Sequence, residues 1–271
     1  MKFKTVKGEI DYGRMGNSDC PTFLFPPFPG SQAAFKPLIN EVKKSKPDFD
    51  FVNFTLPGLG GHTKLVDKNI HLKVKDYSAL ISDFISSFNL KEYNVLAASL
   101  GGYFASYMLA KNMTKPKKII LMSPLLNPKK ILNHSLKFQR ILLTSAHQIG
   151  LPLKILLAIN YAYIWCVEWR KKKDSPSNKF IKEAQKDFEN TCGEESFYLF
   201  EEIGKKDESN IEKFKKNTLV VVGDQDIPDI IDECKKLESE GFKLEIIKNG
   251  THGYMFLDPA QTAAHLIPFL T

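Results

Sequence analysis

Hydrophobic positions along the chain alternate between two rhythms. Short β-rich runs read as strands: the buried "TFLF" (22–25), then "DFDFVNFTL" (48–56), "YNVLAA" (93–98), "KKIILM" (117–122), "NTLVVVG" (217–223) and "FKLEIIK" (242–248). Longer stretches between them repeat apolar residues at helical spacing. "SQAAFKPLINEVKKS" (31–45) predicts a helix with Ser31 as its N-cap. "VKDYSALISDFISSFNL" (74–90) carries Tyr77, Leu80, Ile81, Phe84 and Phe88 on one face. "LGGYFASYMLAKNM" (100–113) and "PDIIDECKKLESEG" (228–241) follow the same rule, and a last helix closes the chain. At the start, "KFKTV" and "GEIDYGRM", joined at Lys7-Gly8, predict a hairpin. Strands alternating with helices imply a mostly parallel sheet covered by helices on both faces, an α/β fold. Sites in such sheets lie outside the carboxyl ends of the strands.

The alternation stops between about Asn127 and Lys216. That stretch is helical and strand-poor, with breaks near Pro152 and at "KDSPSN". The expected organisation is a core of residues 1–126 and 217–271, with residues 127–216 inserted as a helical lid above the strand ends. Within the insertion, Leu151 to Trp169 is strongly apolar. Lys154 and Glu168 bracket about a dozen apolar residues, short of the ~20 that a membrane-spanning helix needs. A buried or interfacial helix is expected, so no stable membrane span, with weak interfacial contact left open. Tyr161, Tyr163, Trp165 and Trp169 read as lid core, and Cys166 as a small buried apolar side chain.

Composition narrows the function classes. The chain has 271 residues, 43% hydrophobic and 25% charged, enough for one large domain with a sizeable core. The net charge of +7 comes mostly from dispersed lysines, and the longest basic run is Arg170 to Lys173. Clustered arginines with interleaved aromatics are missing, so no nucleic-acid partner is expected. The four cysteines are far apart and form no CxxC pair, which suits free thiols in a reducing compartment. "MKFKTVKGEI" holds no apolar leader core. A cytoplasmic location follows as the expectation, as monomer or homodimer. The six histidines show no metal-ligand spacing with the cysteines, so no metal is expected.

The candidate chemistry sits at three strand ends. Ser99 follows "YNVLAA", Asp224 and Asp226 follow "TLVVVG", and His252 follows "FKLEIIK". A serine hydroxyl is a weak nucleophile alone. It needs an imidazole to take its proton and a carboxylate to fix that imidazole's tautomer. Ser, Asp, His is also the chain order of the α/β-hydrolase triad.

Four stretches, in order, resemble that family over nearly the whole chain. "AASLG" resembles the G-x-S-x-G elbow, with Ala97 in place of the first glycine, and puts Ser99 at the nucleophile position. "VVVGDQDIP" resembles the acid loop and favours Asp226 over Asp224, with Pro228 earlier than in the commonest spacing. "NGTHGYMFLDP" resembles the final histidine loop and carries the base onto His252. "LPGLGGHT" resembles the loop after the fourth strand, with Thr55 replacing an aspartate, and His62 there reads as an exposed loop residue. The resemblance implies an eight-stranded sheet and an oxyanion hole donated by the N–H groups of Phe28 and Leu100. "LFPPFPGS" departs from the family at Pro26 and Pro27, which replace a His-Gly pair, but the donor at residue 28 keeps its N–H. The implied activity is a serine hydrolase that cleaves an ester-type bond of a small or medium apolar acyl substrate, and no organic cofactor is implied. The same triad also serves thioesters, lactones, C–C bonds and lyase steps. A ligand-binding protein on the same scaffold is the rival from another class.

Overall fold

The computed structural model describes residues 1–28, 31–60, 63, 65, 71–134, 137, 193–205 and 211–271. The apolar segment Leu151 to Trp169, its aromatic cluster, Cys166 and His62 lie outside the described residues.

Eight strands form one sheet: β1 (Lys2–Lys4), β2 (Glu9–Met15), β3 (Thr22–Phe25), β4 (Phe51–Thr55), β5 (Asn94–Ala98), β6 (Lys118–Met122), β7 (Thr218–Gly223) and β8 (Lys243–Ile247). Their order is β1-β2-β4-β3-β5-β6-β7-β8. β1 and β2 form the antiparallel hairpin that the sequence predicts, closed where Thr5 N–H donates to the Gly8 carbonyl at 2.9 Å. β2 also runs antiparallel to β4, and every later pairing is parallel.

The central strands are apolar throughout because both faces of the sheet are covered. In register, Leu24, Leu96, Ile120 and Leu219 make one row, and Phe25, Ala97, Leu121 and Val220 make the next, pointing the other way. The first row packs under α1 (Lys36–Ser45) and two helices near the end of the chain. The second row packs under α2 (Val74–Ser86) and α3 (Leu100–Ala110). Between β6 and β7 the described residues contain no strand. They include α4 (Pro128–Asn133), α5 (Gly193–Ile203) and a 3-10 turn over Glu212–Asn217. After β7 come α6 (Pro228–Ser239), the short α7 (Tyr254–Leu257) and α8 (Pro259–Leu270). Among the described residues no helix is long and apolar enough to cross a membrane.

One element differs from its sequence pattern. Ser31 does cap, accepting from Ala33 N–H at 3.0 Å, but it caps a 3-10 turn over Gln32–Phe35 and not a continuous helix. Pro37 is the physical reason: it has no N–H to bond back to the Ala33 carbonyl across the join. The α-helix therefore starts only at Lys36.

Candidate active site

Ser99 sits between the last residue of β5 and the first of α3, with φ 49° and ψ −113°. A residue with a Cβ pays about 1–3 kcal/mol to stay in such a conformation. The surroundings hold it there. Ser99 N–H donates to the Met122 carbonyl at 3.0 Å, and the Ser99 carbonyl accepts from Leu125 N–H at 3.0 Å and Tyr103 N–H at 3.3 Å. The glycine at 101 answers a close approach: a Cβ there would lie 2.2 Å from the Phe25 carbonyl oxygen and 2.8 Å from that of Pro26. The loop leaving β3 therefore rests directly on the first turn of α3.

Asp226 and His252 come from the ends of β7 and β8. Their loops interlock at two glycines, where a Cβ on Gly223 would fall 2.1 Å from the Gly250 carbonyl oxygen. Gln225 N–H donates to that same carbonyl at 2.9 Å. This contact turns both loops over the sheet edge. His252 Nδ1 then lies 2.8 Å from Asp226 Oδ1, and His252 Nε2 lies 3.0 Å from Ser99 Oγ. A carboxylate only accepts, so Nδ1 carries the proton and Nε2 presents its lone pair to the serine hydroxyl.

Asp226 is buried and ionised. Burial alone would push its carboxyl up. Electrostatic attraction to His252, with hydrogen bonds from His252, Ser123 and the Ile227 N–H, outweighs that and holds it below the ordinary carboxylate range. The Ile227 N–H donates to Oδ1 at 2.6 Å, and Ser123 Oγ donates to Oδ2 in a short bond. Asp224 stays outside this network. Its side chain is exposed, and its N–H donates to the Ile247 carbonyl at 3.1 Å.

Ser123 is a site residue that sequence reasoning missed. It follows β6 directly, is buried, and has φ 42°. Its N–H donates to the Val221 carbonyl at 2.8 Å, so the hydroxyl is fixed from behind. The available signal was a polar residue before a proline at the carboxyl end of a strand, the same topological position as Ser99.

The resemblance implies Leu100 and Phe28 as the oxyanion donors. Leu100 is the buried first residue of α3, where helix geometry leaves the N–H without an intrahelical acceptor. Phe28 is half-buried in the loop that crosses that first turn, and its ring meets Phe200 of α5 edge-on, with centroids 4.9 Å apart. A cavity of 590 Å³, walled by His71, Tyr103, Tyr198 and Glu202 among others, includes none of Ser99, Asp226 and His252. Among the described residues no cluster of histidine, cysteine, aspartate and glutamate could hold a metal ion.

The strand order and these strand-end loops define the α/β-hydrolase fold. No protein-family model and no curated protein matches the sequence. Solved structures do. A thermophilic esterase from Thermogutta terrifontis aligns over 100% of this chain and 98% of its own, at 14% identity and a TM-score of 0.75. The N-acyl homoserine lactonase AidH, complexed with N-butanoyl homoserine, aligns over 100% of this chain and 95% of its own, at 15% identity and 0.71. A bromoperoxidase from Bacillus anthracis aligns over 97% of this chain and 95% of its own, at 16% and 0.71. Three different activities on one scaffold mean that function must be argued from the site.

Proposed function

We propose that this chain is a serine hydrolase that cleaves ester-type bonds through an acyl-enzyme. The observation that carries the reading is the relay from Ser99 through His252 to Asp226, with the nucleophile on a strained turn. In the first half-reaction Ser99 Oγ attacks the acyl carbonyl while His252 Nε2 takes its proton. Asp226 accepts from Nδ1 throughout, fixing the tautomer and stabilising the imidazolium. The N–H groups of Leu100 and Phe28 receive the developing oxyanion. His252 then returns the proton to the leaving alcohol. In the second half, His252 takes a proton from water, the hydroxide attacks the acyl-enzyme, and Ser99 leaves protonated.

Residues 127–216 act in this reading as a helical insertion over the strand ends, of which α4, α5 and the turn at Glu212–Asn217 are the described parts. The substrate is a small or medium apolar acyl ester. A cytoplasmic location suits Cys20 and Cys234, which are free thiols, the latter pushed well up by burial and so unreactive.

The test has two arms. A fluorophosphonate probe should label the protein at Ser99 and leave Ser99→Ala unlabelled. A panel of p-nitrophenyl esters from acetyl to octanoyl, acyl-CoAs and lactones should show turnover best on the esters. A thioester or lactone preference would keep the triad and change the substrate class. A folded protein that neither labels nor turns over any of them would sink the enzyme reading in favour of a binding protein.

A further inference from the structure

Phe28 is an awkward residue on which to hang an oxyanion donor. The two residues before it are prolines, which bring no N–H to anchor the loop. The loop's far end is tied well: Gln32 N–H donates to Thr55 Oγ1 at 3.0 Å, and Asn53 Nδ2 donates to the Gln32 carbonyl at 2.8 Å. Phe28 also meets a ring of α5 edge-on: Phe200, with centroids 4.9 Å apart and planes at 75°.

Phe200 belongs to a helix with unusual moorings. Glu195 and Glu202 of α5 are seven residues apart, two turns on one face. Both carboxylates accept backbone N–H groups at the entry to α2: Leu72 N–H to Glu195 Oε1 at 2.7 Å, and Val74 N–H to Glu202 Oε2 at 2.8 Å. Glu195 Oε1 also accepts from Tyr77 Oη at 3.1 Å, and its Oε2 lies 3.3 Å from His71 Nδ1. Its side chain is 1% exposed. Leu199 and Ile203, on the same helix, are fully buried in the core. A carboxylate placed this deep costs burial energy that a core helix does not need. What it supplies is a fixed position and rotation for α5.

We infer that Glu195 and Phe200 are positioning residues for the oxyanion hole, Glu195 fixing α5 and Phe200 holding Phe28 over the first turn of α3. The inference rests on the serine-hydrolase reading above and on Phe28 as a donor. A shift of about 1 Å in such a donor costs on the order of 100-fold in rate. The effect should fall on kcat, because a donor to the oxyanion acts in the transition state and barely touches ground-state binding.

The experiment measures kcat and KM on the best p-nitrophenyl ester, per folded molecule as counted by circular dichroism. Phe200→Ala and Glu195→Ala should each lose about 10- to 100-fold in kcat with KM within about two-fold. Phe200→Tyr and Glu195→Gln, which keep the ring edge and the acceptor, should recover most of it. Phe28→Ala keeps its backbone N–H but loses the ring, so the double variant with Phe200→Ala should be no worse than Phe28→Ala alone. Multiplying losses in the double variant, or wild-type kcat in Phe200→Ala, would overturn the inference. Ser99→Ala runs alongside. If it keeps turnover, the hydrolase reading itself falls; if it is inactive while the α5 variants keep kcat, only the present inference falls.

Discussion

Ser123 stands behind Asp226, donating its hydroxyl to the one carboxylate oxygen that His252 does not use. The carboxylate is thereby held from two sides, and its rotation is fixed before the histidine is met. A buried carboxylate that loses a donor loses about 1.5–3 kcal/mol of interaction. Ser123→Ala should therefore destabilise the protein by about that much at pH 7. Asp226 is held below the ordinary carboxylate range, so its contribution is present above an unfolded value of ~3.9 and lost as pH falls through the lower, folded value. Urea melts of both proteins should differ most at neutral pH and converge in acid. A constant difference across that range would mean the serine supports packing and not the charge.

Asp226 and Asp224 are two residues apart and point to opposite fates, one buried against His252 and one exposed. Asp226→Asn should leave the imidazole in the wrong tautomer, a loss of about 10⁴ in kcat in the trypsin template. Asp224→Asn is a surface change and should stay within about two- to three-fold, the reach of ~0.5 kcal/mol. Steady-state kinetics on both, with circular dichroism for the fold, check this. Full activity in Asp226→Asn would mean that another carboxylate orients the histidine.

Much of this site is legible in the sequence because its members occupy the ends of apolar runs. Ser99 and Asp226 each follow a strand that reads as fully buried, where a polar residue has few structural uses, and His252 follows the edge strand β8. Ser123 lies in the same kind of place, yet its partner is 103 residues away and nothing local marks it. Glu195 is harder still. It sits in a helical block rich in glutamate, and periodicity alone does not mark a carboxylate that bonds to the entry of α2, more than 120 residues earlier in the chain. The 3-10 turn before α1 follows from Pro37, a local rule that the wider helical pattern had masked.

Gly101 tests the elbow directly. An added methyl would press 2.2 Å from the Phe25 carbonyl oxygen, with backbone on both sides and no flexible side chain to yield. Overpacking of that kind costs about 1–3 kcal/mol. Gly101→Ala should lower the melting temperature, and it should cut kcat further than the stability loss explains, because the strain displaces Leu100 and the β3 loop together. An unchanged kcat per folded molecule would show that the elbow tolerates a wider separation than this geometry implies.

Glu195 carries a prediction of its own, opposite in sign to that for Asp226. Burial pushes its carboxyl up from the ordinary range; the Leu72 N–H, Tyr77 hydroxyl and His71 ring pull the other way but do not cancel it. The unfolded chain ionises this group from about pH 4.3, while the folded chain resists. A raised carboxyl contributes stability that is fully present below the unfolded value and lost as pH rises through the folded one. Glutamine keeps an acceptor for Leu72 and Tyr77 but has no charge to bury. The melting temperature of the wild type relative to Glu195→Gln should therefore be highest near pH 4 and decline toward pH 7. His71 Nδ1 lies 3.3 Å from this carboxyl, so the comparison should be repeated in a His71→Gln background, where the decline should persist. A wild type that gains on the glutamine variant as pH rises would mean that the moorings of α5 outweigh burial and that the charge itself holds the helix.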